Sequence, residues 1–412
     1  MMIARRSDVV IVGTGHAGAQ TAIALRQQGY VGGIEMIGAE PDPPYERPAL
    51  SKEYFAGEKT FDRLLIRPEA FWSERDVKLT LGRRVQSLSS SERTVILDDG
   101  QTIGFDTLVW AAGGAPRRLT CAGQDAVGLH TIRARRDVDR LIGELRPRSR
   151  VVIIGGGFIG LEAAAVLAKQ GVRAVLLEAG DRVLARVAAE PLSRFFEDEH
   201  RRHGVDVRLS ARIECIETEG GRVTGVRLAD GAVIAADVVI VGIGLTPAVE
   251  VLREAGAKIA DGVVVDACCR TSLDDVYAVG DCALHPNRFA DGRLVRLESV
   301  QNANDQAVTA ARAIRGEAEP YAAMPWFWSN QYDLKLQTLG LSKGHDQVVL
   351  RGRPEERAFS VVYLKAGRIL AVDCVNMVKD YVQARAWILD QRRPDVRALA
   401  DPTTPLKAVG CI

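Results

Sequence analysis

Asp8 to Tyr30 reads DVVIVGTGHAGAQTAIALRQQGY, and Arg150 to Val172 reads RVVIIGGGFIGLEAAAVLAKQGV. One pattern thus occurs twice, about 140 residues apart, a spacing that points to one domain set into another. In each copy an unbroken β-branched run predicts a strand buried on both faces, as parallel sheets require. The Ala/Leu-rich stretch after the glycines has helical spacing, and a second strand follows: GIEMIGAE to Glu40 in the first copy, RAVLLEAG to Gly180 in the second. Each copy is therefore a βαβ unit.

The glycines carry the chemistry. Gly13, Gly15 and Gly18, like Gly155, Gly157 and Gly160, are spaced G-x-G-x-x-G between a strand and a helix. The first permits the tight turn, the second lets backbone approach a pyrophosphate, and the third lets the helix pack on its strand while its N-terminus faces the anion. At the end of the second strand of copy two, Glu178 is placed to accept from a ribose 2′-hydroxyl and to repel a 2′-phosphate, which favours NADH over NADPH. Arg182 and Arg186 lie near enough to soften that preference. Glu40 is the corresponding ribose partner in copy one. Two dinucleotide sites in one chain imply a relay in which a nicotinamide supplies hydride and FAD accepts it.

These spacings predict an α/β fold with two Rossmann-type dinucleotide-binding domains and a small α+β C-terminal domain. Residues 1–115 and 246–325 form the discontinuous FAD domain, 116–245 the NAD domain and 326–412 the C-terminal one. In the last, PWFWSNQYDLKLQTLGL precedes a hairpin turning near Ala366 and Gly367 and a helix from about Lys379 to Asp390. Shorter hairpins with Asp-Gly turns at Asp99 and Asp230 decorate the two parallel sheets.

Composition narrows the class. Apolar residues at 47% and charged residues at 26% are globular values, which sets aside disordered and fibrous chains. Lys plus Arg at 54 against Asp plus Glu at 53 leaves +1, so no global field favours nucleic acid or an anionic membrane. The Met-Met-Ile-Ala-Arg-Arg start is followed by an apolar run that breaks at Gly13, too short for a signal peptide, and reads as a first strand. The longest apolar stretch, Val151 to Ala168, is interrupted by glycines and Glu162, so no membrane span is expected. Seven scattered cysteines (Cys121, Cys215, Cys268, Cys269, Cys282, Cys374, Cys411) without a Cys-x-x-Cys pair suit a reducing cytoplasm.

Eight ordered segments resemble the FAD-dependent ferredoxin reductases, the branch of the glutathione-reductase-like flavoenzymes that serves cytochrome P-450 monooxygenases and ring-hydroxylating dioxygenases. They are the GTGHAG turn, PYERPALSKEY (Pro44 to Tyr54), DTLVWAAGG (Asp106 to Gly114), GGGFIGLE (Gly155 to Glu162), VIVGIGLTP (Val239 to Pro247), VYAVGDCA (Val276 to Ala283), RLESVQNANDQA (Arg296 to Ala307) and PWFWSNQY (Pro325 to Tyr332). The likeness spans nearly the whole chain. It implies that FAD is held by the first glycine turn with His16 and Ala17, by Lys52, Val85, Ala112, Gly113, Arg133, Gly280, Asp281 and Val300, with Pro48 and Trp328 close to the isoalloxazine. Ala39 departs from members of the family that carry Asp there, and Glu40 is the expected substitute. NADH would meet Phe158, Ile159, Gly160, Glu162, Glu178, Arg186, Gly244 and Glu298. Lys52 and Glu162, the catalytic candidates, should pair near flavin N5, where a lysine stabilises the anionic reduced ring.

Other chemistries lack their residues. No Ser-His-Asp set or metal-spaced His/Cys cluster is evident, and no metal is expected. Disulfide reductases of this fold pass electrons through a dithiol beside the flavin, in the segment that here reads RPALSKEY, so no thiol is available. Cys282 reads as a small buried residue, and Cys268 and Cys269 as structural. His200-x-x-His203 falls in EDEHRRHG, which reads as a solvated charged face. Trp326 and Phe327 are expected in the core. The implied partner is a [2Fe-2S] ferredoxin and, through it, a P-450 or other oxygenase. Its acidic surface would be steered by Arg67, Arg293, Lys335, Lys343 or Lys407. A monomer or weak dimer is expected. The alternatives are a dioxygenase-ferredoxin or rubredoxin reductase, a reductase of a small acceptor such as a quinone or monodehydroascorbate, and, in another class, an apoptosis-inducing-factor-like nucleotide-binding protein that binds nucleic acid.

Overall fold

Strand Arg5–Val12 turns into helix His16–Gln27 and returns as strand Ile34–Gly38, the first βαβ unit of a computed structural model that describes residues 5–410. The β-branched run from Val9 to Val12 is buried, as a strand covered on both faces must be. Contacts divide the chain into two compact units. The first comprises the residues up to Arg47 with Thr60–Ala115 and Thr246–Pro325; the second comprises Pro48–Lys59, Pro116–Leu245 and Trp326 onward.

In the first unit the parallel order is Val77–Leu81, Ile34–Gly38, Arg5–Val12, Thr102–Trp110, with Val276–Ala278 also parallel on Thr102–Trp110. Antiparallel strands Thr94–Leu97 and Val85–Ser89 extend the sheet around the Asp99 turn. Helices His16–Gln27 and Val300–Ile314 pack on each other through Ala17, Ala24, Ala303, Ala310 and neighbouring small residues, which let the backbones approach closely.

The second unit repeats the plan with five parallel strands in the order Asp206–Arg208, Arg173–Leu177, Arg150–Ile154, Val238–Val241, Leu129–His130. Beside it lies the three-stranded antiparallel sheet of Ile213–Glu219, Arg222–Leu228 and Val233–Ala235. The C-terminal part is an antiparallel five-stranded sheet in the order Trp326–Gln331, Leu334–Gly340, Arg368–Val375, Ala358–Lys365, Gln347–Arg353. Its hairpin turns at Ala366 and Gly367, both with positive φ, and helix Val378–Leu389 covers it.

Three details differ from the sequence reading. Residues 48–59, drawn there into the first domain, count with the second unit, where Ser51 and Lys52 bond Glu162. The EDEHRRHG segment is not wholly a solvated face: Glu197, Glu199 and His200 are buried, while Asp198, Arg201, Arg202, His203 and Gly204 face water. Its polar side chains are turned inward because each has a partner there, which a charge count cannot reveal. Trp326 and Phe327 are half-buried rather than core, since their strand is the edge of its sheet.

Candidate functional site

In both units the glycine turn sits where the chain order of the sheet reverses. Gly13 has φ 113°, and a Cβ there would lie 2.2 Å from the Ala111 carbonyl oxygen at the end of the neighbouring strand. Gly155 has φ 110°, and a Cβ there would lie 2.4 Å from the Gly242 oxygen. The third glycines are equally constrained, with Gly18 against the Gly13 oxygen and Gly160 against the Gly155 oxygen. The middle glycines are different. They are the N-caps of helices His16–Gln27 and Phe158–Lys169, they provide no side-chain cap, and neither helix has an acidic residue in its first turn. A Cβ on Gly157 would meet nothing within 4 Å, and one on Gly15 would meet only Arg47 Nε at 3.7 Å. Two helix N-termini thus lack a side-chain cap and leave open approach, the arrangement a nucleotide diphosphate needs.

Around the first turn, Gly280 (φ 79°) approaches so closely that a Cβ would lie 2.9 Å from Ala17 Cβ, and its N–H donates to Gln306 Oε1 at 2.7 Å. That contact carries Asp281 to the turn. Glu40 accepts from Arg47 Nη2 at 2.5 Å and from the Tyr45 hydroxyl at 2.6 Å. Burial works against the Arg47 charge, but Tyr45, Glu40 and Asp281 outweigh it and raise its pKa. His16 opens the glycine-turn helix, Ala112 and Gly113 follow strand Thr102–Trp110, and Val300 opens its helix beside the Ser299 cap. Val85 packs with Leu97 and Phe105 in the core. Cys282 is fully buried, which pushes its thiol up to about 12 and removes it from redox use.

In the second unit, Glu178 accepts from Gly156 N–H at 2.6 Å and Gly180 N–H at 2.7 Å. Its carboxylate therefore stands at the turn, with lone pairs remaining for hydroxyl donors. Arg182 is committed to the Ala188 and Ala185 carbonyls and the Ser193 hydroxyl, so it does not oppose Glu178. Arg186 is exposed, and a Cβ on Gly244 would lie 3.6 Å from its Nη2. Ile159 is 41% exposed on the first turn of its helix, beside Phe158, which packs on Phe327 at a centroid distance of 4.6 Å.

One turn further along this helix lies Glu162, 3% exposed. Its Oε2 accepts from Lys52 Nζ at 2.7 Å and Ser51 Oγ at 2.5 Å, and its Oε1 accepts from Ser329 Oγ at 2.7 Å. Pro48, in the short helix Arg47–Ser51, belongs to the same segment as Lys52. Trp328 adjoins Ser329 on its strand, and Arg133 precedes helix Arg135–Glu144. Glu298 lies in the first unit, paired with Arg296 at 2.6 Å, apart in the chain from the other NAD candidates. The sequence reading missed Tyr45, Arg47, Ser51 and Ser329. All four stand inside PYERPALSKEY and PWFWSNQY, but only the folded chain shows which carboxylate each one meets. The docking candidates Arg67, Arg293, Lys335, Lys343 and Lys407 are all exposed.

Two uncapped glycine turns at two crossover points, one of them ahead of a buried Lys/Glu pair, define a two-nucleotide oxidoreductase. The chain belongs to the pyridine nucleotide-disulphide oxidoreductase family, which it matches over residues 7–307, and its residues 326–410 match the reductase C-terminal family. It is 57% identical over 401 residues to the 5,5′-dehydrodivanillate O-demethylase ferredoxin reductase subunit of a Sphingobium species, covering 97% of each chain. It is likewise 57% identical over 401 residues to a ferredoxin–NAD(P)(+) reductase of a Sphingomonas species, with the same coverage. Among solved structures it superposes on putidaredoxin reductase, in its covalent complex with putidaredoxin, with a TM-score of 0.94 at 38% identity, covering 97% of each chain. Its fold is that of the putidaredoxin-reductase type. Among the described residues no helix is long and apolar enough to cross a membrane.

Proposed function

We propose that this chain is an NADH-dependent ferredoxin reductase, a flavoprotein that delivers single electrons to a [2Fe-2S] ferredoxin. When bound, FAD takes a hydride from NADH and releases the electrons one at a time. The observation that carries the reading is the pair of open, uncapped glycine-turn helices, together with a segment at residues 44–54 that offers Lys52 and no cysteine. The helix at His16 takes the FAD diphosphate and the helix at Phe158 that of NADH, through backbone N–H groups and the helix dipole. Glu178 accepts from the adenosine ribose and excludes a 2′-phosphate, which makes NADH the donor. Asp281 accepts from the ribitol chain. Lys52, held by Glu162, places a cation beside the flavin pyrimidine and N5 region, and the aromatic side chains of Phe158 and Trp328 exclude water from the reacting rings.

The ferredoxin feeds an oxygenase. A cytochrome P-450 is the first candidate and a ring-hydroxylating dioxygenase the second; the 57% identical relative is the reductase subunit of an O-demethylase. The enzyme works in the reducing cytoplasm, in keeping with six free described cysteines, as a monomer or weak dimer. Steady-state NADH oxidation with a [2Fe-2S] ferredoxin, a rubredoxin and a quinone tests this directly. The reading requires the ferredoxin to give the highest kcat/KM. Rapid turnover with quinone and none with any [2Fe-2S] protein would overturn it.

A further inference from the structure

The buried polar residues of helix Glu190–Arg202 and strand Trp326–Gln331 form a continuous hydrogen-bonded chain that ends on Glu162. Ser329 and Gln331 alternate with exposed Asn330 and share the buried face of their strand. Tyr332 OH stands 2.9 Å from His200 Nδ1, His200 Nε2 stands 2.9 Å from Gln331 Oε1, Gln331 Nε2 donates to Ser329 Oγ at 3.2 Å, and Ser329 Oγ donates to Glu162 Oε1 at 2.7 Å. His200 is fully buried.

The direction of every bond follows from one charge. With Lys52 Nζ at 2.7 Å and Ser51 Oγ at 2.5 Å on its other oxygen, Glu162 is a carboxylate and only accepts. The single Ser329 proton therefore points to Glu162, so Ser329 Oγ must accept from the Gln331 amide N–H. Gln331 then turns its carbonyl oxygen to His200, which obliges Nε2 to carry the imidazole proton. Nδ1 is left bare and accepts from Tyr332. Four donors in series all aim at Glu162, and such a series polarises along its length. The amide of Gln331 fixes orientation and is a poor carrier of protons, so the chain sets geometry and charge.

We propose that His200 is a positioning residue for Glu162: as the neutral Nε2–H tautomer it locks Gln331 and Ser329 in the orientation that holds the Glu162 carboxylate against Lys52. The role of Glu162 beside the flavin rests on the function proposed above. Burial keeps the imidazole neutral by lowering its pKa to about 4. The other charged and titratable groups around it are His203, stacked on Tyr332 at 3.7 Å, and Glu199, which pairs with Arg357 at 2.9 Å. Arg357 also pairs with Asp333, at 2.5 Å. At the far end Lys52 is the cation against Glu162.

The test is ¹⁵N NMR of ring-labelled histidine in the whole FAD-loaded protein, with the His200 signal assigned by its loss in His200→Gln. The expected result is a neutral Nε2–H tautomer from mildly acidic to mildly basic pH; an Nδ1–H tautomer or an imidazolium overturns the proposal. In parallel, the pH profile of NADH-driven flavin reduction is measured for His200→Leu, His200→Gln and Ser329→Ala. A Ser329 donor that is removed, or freed to turn away, makes the Glu162 charge harder to hold, so the acid limb of the Ala and Leu variants moves to higher pH. The Gln variant, which can still donate to Gln331, returns toward the parent. An unmoved limb in a folded, flavin-loaded Ser329→Ala also overturns it, and this arm serves if His200→Leu fails to fold. Failure of the unaltered protein to be reduced by NADH would defeat the proposed function instead, while the tautomer measurement would still decide the hydrogen-bonded chain.

Discussion

Gly18 lies so close to Gly13 that a Cβ on Gly18 would stand 1.8 Å from the Gly13 carbonyl oxygen. The helix and strand of the first βαβ unit meet there backbone to backbone, which is what brings the helix N-terminus to the head of the turn. Gly160 and Gly155 repeat the relationship at 2.1 Å. Gly160→Ala forces two backbones apart and should destabilise the protein by about 3 kcal/mol or more. Gly157→Ala, at φ −81° with open space around it, should leave thermal stability nearly unchanged while raising the dissociation constant for NADH. Differential scanning calorimetry with NADH titration checks both, and equal thermal losses in the two variants would mean that the middle glycine is there for packing.

Glu162→Gln keeps the shape of the side chain but removes the charge that holds Lys52. A misplaced cation of this kind should slow NADH-dependent flavin reduction by about a hundredfold. Anaerobic stopped-flow absorbance measures it, and a rate within twofold of the parent would show that the pair is only structural.

Glu178→Ala deletes the acceptor at the second turn and the repulsion of a 2′-phosphate. The kcat/KM preference for NADH over NADPH should narrow by about tenfold, the worth of one hydrogen bond to a charged group. Because Arg182 is held by backbone carbonyls, Arg182→Ala should leave the preference unchanged. Steady-state kinetics with both nucleotides separates the two residues.

Arg351 and Asp380 form a buried ion pair at 2.8 Å, and Arg351 also donates to the Leu399 and Thr404 carbonyls. Arg351→Leu would strand Asp380 and release the C-terminal segment, at a cost of about 3–5 kcal/mol. Denaturant unfolding reads the loss, and limited proteolysis should place the first cleavage beyond residue 395.

Burial raises the pKa of Asp373 to about 7, although the Tyr363 hydroxyl, at 2.5 Å, works in the opposite direction. A carboxyl whose folded pKa is raised contributes stability that is complete below its unfolded pKa, near about 4, and lost as pH rises toward 7. The protein should therefore lose stability between those limits through this group. Asp373→Asn should flatten that part of the profile, and thermal unfolding across the range would show it. Parallel profiles would place the slope elsewhere.

Much of this was legible in the sequence, and the boundary is physical. The glycine turns, the buried strands and Glu178 follow from local spacing, because a pyrophosphate cradle is built from consecutive residues. The Ala366 and Gly367 hairpin and the following helix are local too. His200 was read as solvated because EDEHRRHG is rich in charge, and its partners, Gln331 and Tyr332, lie more than a hundred residues away in the chain. The same holds for Ser329 on Glu162. Long-range side-chain pairing decides which polar groups turn inward, and one sequence carries no record of it.

The central claim is that one chain holds two nucleotides and passes a hydride between them, and anaerobic titration of the purified protein with NADH tests it most directly. The account predicts a yellow protein with one FAD per chain, bleached completely by one equivalent of NADH and recoloured by two equivalents of oxidised [2Fe-2S] ferredoxin. A colourless protein, or a flavin that NADH leaves oxidised, would contradict it.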